Sequence, residues 1–255
     1  MGRSLVRAIH ESTDFELVGA LASPDSPALG LDAGEVAGLA RRFGVAVTAE
    51  RRAALDRAEA VLDFTLPGAT LLNLAACLES RAALLVGTTG LDAEAHAALN
   101  AACDRLAVLV APNTSLGVNL LAQLVERAAA ALPPEYDIEI LEAHHRYKAD
   151  APSGTALRLG EAAASGRGGR LEDLAPEPSR DRRGSRREGS IGFASLRGGD
   201  VVGEHTVFFA GPGERIELSH RVHDRMTFAY GALRSAEWLR GRPPGQYSMV
   251  DVLGL

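Results

Sequence analysis

The chain has 255 residues, 46% of them hydrophobic and 24% charged, with a formal net charge of −6. That length supports one large or two modest domains with a buried core. Net acidity argues against a general nucleic-acid binder or a membrane-surface protein, no apolar run approaches the length of a membrane span, and the N-terminus carries no signal-peptide core.

The first half alternates short apolar runs with helical patterns. Leu5 to His10 reads as part of a helix and Phe15 to Leu21 as a strand. A loop rich in Pro, Gly and Asp runs to about Gly34, and Val45 to Val47 suits a short strand. Ala60 to Thr65 reads as a strand running into a loop, followed by a helix from about Ala69 to Ser80. Ala83 to Thr89 repeats that shape, with a helix from Asp92 to Cys103. Leu106 to Ala111 repeats it again, with a long helix after Gly117. Fully apolar strands alternating with helices predict a parallel sheet covered on both faces, the doubly wound, Rossmann-like α/β architecture that binds nucleotides.

After about Pro133 the pattern changes. Tyr136 to Glu142 alternates, as a half-buried strand does. A helix starts after Ser153. Ser190–Leu196, Glu204–Ala210 and Glu214–His220 read as strands joined by Gly-containing turns, so this part is α+β with a mostly antiparallel or mixed sheet. Arg225 to Arg240 reads as a closing helix. The expected division is a nucleotide-binding domain of residues 1–115 plus 225–255 and a second domain of residues 116–224. Cys77 and Cys103 sit in alanine-rich helical patterns and read as reduced, buried thiols, which suits a cytoplasm. The basic run from Arg180 to Arg187, after Pro176 and Pro178, reads as a solvated loop, with an anion contact or a substrate-covering loop as the alternative.

Three strand ends share one design: Asp63-Phe-Thr65, Gly87-Thr-Thr-Gly90 and Ala111-Pro-Asn-Thr-Ser115. In a doubly wound sheet the ligand crevice lies at the carboxyl ends of the strands, where small residues admit a cofactor and Thr or Asn bond phosphate, ribose or carboxamide. Any one of them is equally an ordinary turn or helix cap. Three together favour a nucleotide.

The densest chemistry lies in Glu142-Ala-His-His-Arg-Tyr-Lys-Ala-Asp-Ala-Pro-Ser-Gly-Thr-Ala156. A histidine donates a proton near neutral pH. Lys148 offers charge to a carboxylate or a second proton source, and a helix starting at Ser153-Gly-Thr155 presents backbone N–H groups to an anion. Asp150-Ala-Pro152 keeps the approach extended. Together they fit a small dianionic substrate that must receive a proton. The alternatives are a pair of satisfied or exposed histidines, or a metal site joined by His205, His220 and His223. No close His/Asp/Glu spacing supports a metal, so none is expected.

This segment resembles the signature of the 4-hydroxy-tetrahydrodipicolinate reductase (dihydrodipicolinate reductase) family. Asp32–Glu35, Asp63–Thr65, Gly87–Gly90, Asn113–Ser115 with Gly117–Asn119, Gly192–Ala194, Gly199–Thr206 and Arg225–Ala229 resemble further family landmarks in order. The resemblance implies an enzyme of diaminopimelate and lysine synthesis that uses NADH or NADPH and a small dicarboxylate substrate, with no nucleic-acid or membrane partner. By the match, His144 is the proton donor and Lys148 the assisting lysine. His145, Gly154 and Thr155 bind the substrate carboxylates. Gly87, Thr88, Thr89, Ala111, Pro112, Asn113 and Thr114 line the nicotinamide side, and Gly2 belongs to the tail of a phosphate loop. Arg225 is a further anion contact or a plain surface arginine. Family members assemble as homotetramers through the sheet of the second domain. The family begins with a strand and a Gly-rich phosphate loop, of which Met1-Gly2-Arg3 matches only the tail. The expectation is an internal methionine taken as the start, with a true truncation as the alternative, and an exposed apolar sheet surface. Ala20-Leu-Ala-Ser-Pro24 holds no carboxylate for a ribose and Leu66 no charge, so NADH against NADPH stays open. The competing functions are a non-catalytic relative acting as a binding module, or a reductase of another cyclic imine or dicarboxylate.

Overall fold

The computed structural model describes residues 1–175 and 185–255. In chain order these residues form α1 (Gly2–Glu11), β1 (Ala20–Leu21), α2 (Ala33–Val36), β2 (Val47–Thr48), α3 (Arg51–Leu55), β3 (Ala60–Asp63), α4 (Pro67–Ser80), β4 (Ala83–Val86), α5 (Ala93–Ala102), β5 (Ala107–Val110) and α6 (Leu116–Ala131). They continue with β6 (Asp137–His144), α7 (Gly154–Gly166), α8 (Leu171–Leu174), β7 (Ile191–Arg197), β8 (Gly203–Gly211), β9 (Glu214–Val222), α9 (Met226–Leu239), β10 (Gly245–Tyr247) and α10 (Met249–Leu253). Their contacts divide them into two compact units, residues 1–116 with 226–255, and residues 117–225.

The first unit is built on a parallel sheet of order β10-β5-β4-β3. Its strands are apolar on both sides because both sides are covered. Leu84, Val86 and Val108 point into a cluster with Leu74, Cys77 and Leu99 of α4 and α5. Leu85, Ala107 and Leu109 point the other way, onto Leu239 and Met249 of α9 and α10. Helix starts follow their chemistry: Asp92 caps α5 through Ala95 N–H, and Ser248 with Asp251 makes a capping box on α10. β3 is an edge, and Ala60, Val61 and Leu62 there are only half-buried.

Phe15 to Leu21 is not a full strand. Only Ala20 and Leu21 pair, with Val47 and Thr48 of β2, in a separate two-stranded sheet. A strand extends only as far as its ladder, and β2 offers two residues. Gly19 also lies where a Cβ would stand 1.9 Å from the Ala54 carbonyl oxygen, so backbone packing rather than strand pairing fixes that approach. β10, α2 and α3 are too short to leave a periodic signal.

The second unit carries a mixed sheet of order β7-β6-β8-β9, parallel between β6 and β7 and antiparallel elsewhere. Helices α6 and α7 cover one face. There Ile138, Ile140, Ile191, Val207 and Phe209 pack on Leu121, Val125, Ala156, Leu159 and Ala163. The other face carries the exposed Ala194 and Leu196 and the half-buried Phe208. The expected basic loop lies for residues 176–184 outside the described residues. At its end Arg186 is not a solvated side chain. It pairs with Asp137 and Glu139 and donates to the carbonyls of Ile138 and Ser190. Cys77 is wholly buried and Cys103 half-buried, both unpaired.

Candidate active site

Alternation along β6 carries the sheet from core to chemistry. Ile138 and Ile140 face the helices, and two residues further on the same face presents Glu142 and then His144. Side chains two apart on one strand are neighbours, and His144 Nδ1 lies 2.5 Å from Glu142 Oε2. Register brings other strands to the same place. Ser195 pairs with Glu142 and Arg197 with His144 across the parallel ladder, while His205 of β8 lies opposite Glu142 and His220 of β9 opposite His205.

Glu142 is 1% exposed and its carboxylate is surrounded. Arg197 donates to both oxygens, at 2.8 Å from Nη1 and 2.6 Å from Nη2, and Ser153 N–H lies 3.3 Å from Oε1. Burial alone pushes the Glu142 carboxyl up, but bonds from Arg197, Ser195 and His144 overcome it and hold it at about 2. Burial also pushes His144 below its ordinary value. Glu142 pulls it up, and the charges of Lys148 and Arg197 press it further down. His205, its ring 5.1 Å from that of His144, is lowered by burial and by His144 to about 4. Its Nε2 lies 3.1 Å from Ser153 Oγ.

Ser153 also caps α7, accepting from Ala156 N–H, so Gly154 and Thr155 form the first turn of a thirteen-residue helix whose N-terminus attracts anions. One carboxylate therefore holds both the imidazole and the start of this helix. The Ala151–Pro152 peptide before it is cis. Gly203 lies under the imidazole, where a Cβ would stand 3.2 Å from His144 Nε2. Lys148 Nζ sits 2.8 Å from Asp150 Oδ1, and Arg225 Nη2 sits 3.2 Å from His145 Nε2. Of the residues singled out in the sequence, His144, Gly154 and Thr155 thus come together around Glu142 and Ser153. His145 is joined with Arg225, and Lys148 with Asp150. Sequence reasoning assigned no role to Glu142 or Arg197, and raised His205 only for a metal site that it did not expect. The available signal for Glu142 was its place two residues before His144 on an alternating strand. For Arg197 and His205 no local signal existed.

In the first unit, Thr88 is buried and its hydroxyl lies 3.3 Å from Asp63 Oδ1, while Thr65 donates to the same carboxylate oxygen. Thr114, 1% exposed, donates to the Phe228 carbonyl at 2.7 Å, and Ala111 is buried. Gly87 is required by Phe64, whose ring would meet a Cβ at 2.2 Å. Thr89, Gly90 and Pro112 are exposed, and Asn113 Oδ1 accepts from Ser115 N–H at 2.9 Å. Gly2 opens α1 with open space where a Cβ would point. Small, exposed residues past the carboxyl ends of β4 and β5 fit a dinucleotide laid along a parallel sheet.

A doubly wound unit of this kind, and a second unit holding a buried imidazole beside a helix N-terminus, fit the class of NAD(P)H-dependent oxidoreductases. Residues 1–114 match the family model "Dihydrodipicolinate reductase, N-terminus" and residues 117–253 match "Dihydrodipicolinate reductase, C-terminus". The chain belongs to the dihydrodipicolinate reductase family. It is 52% identical over 255 residues to a 4-hydroxy-tetrahydrodipicolinate reductase of Ruegeria pomeroyi, covering all of this chain and 94% of that one. It is 54% identical over 258 residues to one of Rhodopseudomonas palustris strain BisA53, covering all of this chain and 93% of that one. A dipicolinate-bound dihydrodipicolinate reductase from Paenisporosarcina sp. TG-14 shares the fold, with a TM-score of 0.78 at 23% identity over 98% of this chain and 94% of that chain. Among the described residues no helix is long and apolar enough to cross a membrane.

Proposed function

We propose that the chain reduces 4-hydroxy-tetrahydrodipicolinate to tetrahydrodipicolinate, in diaminopimelate and lysine synthesis. The observation that carries this reading is the buried His144 held by the same carboxylate that holds the N-terminus of α7. The family membership supplies the substrate, and the ring dicarboxylate in the Paenisporosarcina protein is of the same chemical class.

When bound along the cofactor wall, reduced nicotinamide would supply the hydride that ring C4 needs once water is lost. His144 delivers the proton to the adjacent ring carbon. Burial and two nearby cations oppose the charge of the ring, against the pull of Glu142. Arrival of a dicarboxylate adds negative charge and favours the imidazolium that donates. Gly154 and Thr155 offer the first N–H groups of α7 to one carboxylate, and His145 serves the substrate beside them, with Arg225 adjoining. Lys148 exchanges Asp150 for the substrate and assists. Gly2, Gly87, Thr88, Thr89, Ala111, Pro112, Asn113 and Thr114 make the cofactor wall. Thr88 and Thr114 do so through backbone, since their hydroxyls are engaged elsewhere. Residues 1–115 with 225–255 form the nucleotide-binding domain and residues 116–224 the substrate and assembly domain. The uncovered sheet face at Ala194, Leu196 and Phe208 supports a homotetramer, and the two unpaired thiols suit a cytoplasmic location.

The test is oxidation of NADH and of NADPH, followed by absorbance, with freshly made substrate. His144→Gln is expected to lower kcat by roughly 10²–10⁴-fold, the usual contribution of a general acid. Unchanged turnover removes His144 from this role. Lys148→Ala is expected to lower kcat/KM by about 10- to 100-fold through loss of a charge-assisted contact.

A further inference from the structure

We infer that Glu142 and Arg197 are a positioning pair for His144: Glu142 fixes Nδ1 as the protonated nitrogen and so turns Nε2 toward Gly203 as the proton-carrying edge, while Arg197 grips the carboxylate and shares its charge. The inference rests on the reading of His144 as the proton donor.

Three observations carry it. The Nδ1 to Oε2 separation is 2.5 Å in a site where Glu142 is 1% exposed, so water cannot replace the contact. An ionised carboxylate accepts only, so Nδ1 must donate and Nε2 is left to receive and release the mobile proton. Nε2 faces Gly203, where no side chain intervenes, and a Cβ would come within 3.2 Å of it.

Arg197 answers a second need. A bare carboxylate against a buried imidazole binds the imidazolium so firmly that the proton is hard to surrender. Arg197 occupies both carboxylate oxygens through its fork and is itself anchored by the Asp150 carbonyl, so Glu142 orients the ring while pulling less on its proton. The groups facing His144 are Glu142 on its own strand, Arg197 from β7, His205 from β8 and Lys148, with Asp150, from the following loop. His220 on β9 acts through His205. Glu142 raises the ring's affinity for a proton, and Arg197 and Lys148 lower it. A pair serving only to tie β6 to β7 would leave kcat and the pH limb of the rate unmoved in a folded Glu142→Gln protein.

The test is nitrogen-15 NMR of histidine-labelled, substrate-free protein titrated with pH, His144 being assigned by the signal lost in His144→Gln. The native ring is expected to carry its proton on Nδ1 when neutral. Glu142→Gln is expected to move its titration to lower pH and Arg197→Leu to higher pH. Glu142→Gln is also expected to lower kcat by about 10- to 100-fold with KM little changed, as losing the outer partners of metal-bound histidines does, and to shift the pH limb of the rate downward. Where removal of Arg197 prevents folding, the native spectrum and Glu142→Gln decide. A native ring protonated on Nε2, or a titration unmoved in Glu142→Gln, overturns the pairing. Native protein that shows the expected tautomer and shifts but turns over none of the substrate supports the pairing and overturns the catalytic reading.

Discussion

At the carboxyl ends of β4 and β5 the hydroxyls turn inward, Thr88 to Asp63 and Thr114 to the Phe228 carbonyl. What they leave outward is backbone and small residues. At the carboxyl end of β6 the reverse holds. Ionisable side chains from three strands converge, and each is defined by its neighbour's charge. In the first region the buried side chains serve packing, so many changes there are expected to act through stability. In the second, on the proposed function, protonation of particular atoms serves the reaction, so changes there are expected to act on rate.

The largest expected separation between the regions is in turnover. His144→Gln should cost orders of magnitude in kcat with the fold intact by circular dichroism, and an equal loss in Thr114→Val would break the distinction. Next comes Gly231→Ala in α9. Its Cβ would stand 1.8 Å from the Thr114 carbonyl oxygen, a backbone clash that no side-chain rotation relieves. It should destabilise by about 3 kcal/mol or more, seen in the denaturant midpoint. Thr114→Val removes the hydroxyl's buried bond to the Phe228 carbonyl, which α9 still engages, at about 1 kcal/mol. Retained cofactor affinity in the surviving folded protein would sharpen the view that its hydroxyl is structural. A large loss of affinity with unchanged stability would reverse it.

A pH dependence of stability follows from the two buried ionisable groups. His205, at about 4 against an ordinary 6.5, binds its proton more readily unfolded, so stability falls as pH drops from 6.5 toward 4. Glu142, at about 2 against 4.5, contributes stability that is full above 4.5 and lost as pH falls toward 2. His205→Asn should make the first window shallower, with His144 and His220, also held below their ordinary values by burial, keeping part of it, and should leave the second. An unchanged profile between 6.5 and 4 would show that the buried imidazole charges freely in the folded state.

Much of this was legible in the sequence, for reasons that can be located. Leu84–Val86 and Val108–Leu109 are apolar on both sides and therefore announce a doubly covered strand. Ser153 announces the start of α7. Ile138 and Ile140 set the phase that places Glu142 and His144 on the helix side. Legibility ends where contact depends on register. Arg197 and His205 reach Glu142 and Ser153 from 55 and 52 positions along the chain, through ladders that no local pattern specifies. Phe15–Leu21 shows the converse. Its residues suit a strand, yet two of seven pair, because a ladder needs a partner as well as a propensity.

The discontinuity of the first unit has a consequence for how the protein is made. β10 completes the parallel sheet beside β5, and α9 supplies Leu239 to its core and the Phe228 carbonyl to Thr114, 114 residues back. None of these reaches the sheet until the ribosome has passed residue 226, by which time the whole second unit has been synthesised. The second unit can gather its core from contiguous chain, whereas the first must wait with Leu85 and Leu109 uncovered on one side. Docking residues 226–255 onto residues 1–116 is therefore a long-range loop closure, and until it happens one apolar face of the parallel sheet lacks part of its cover.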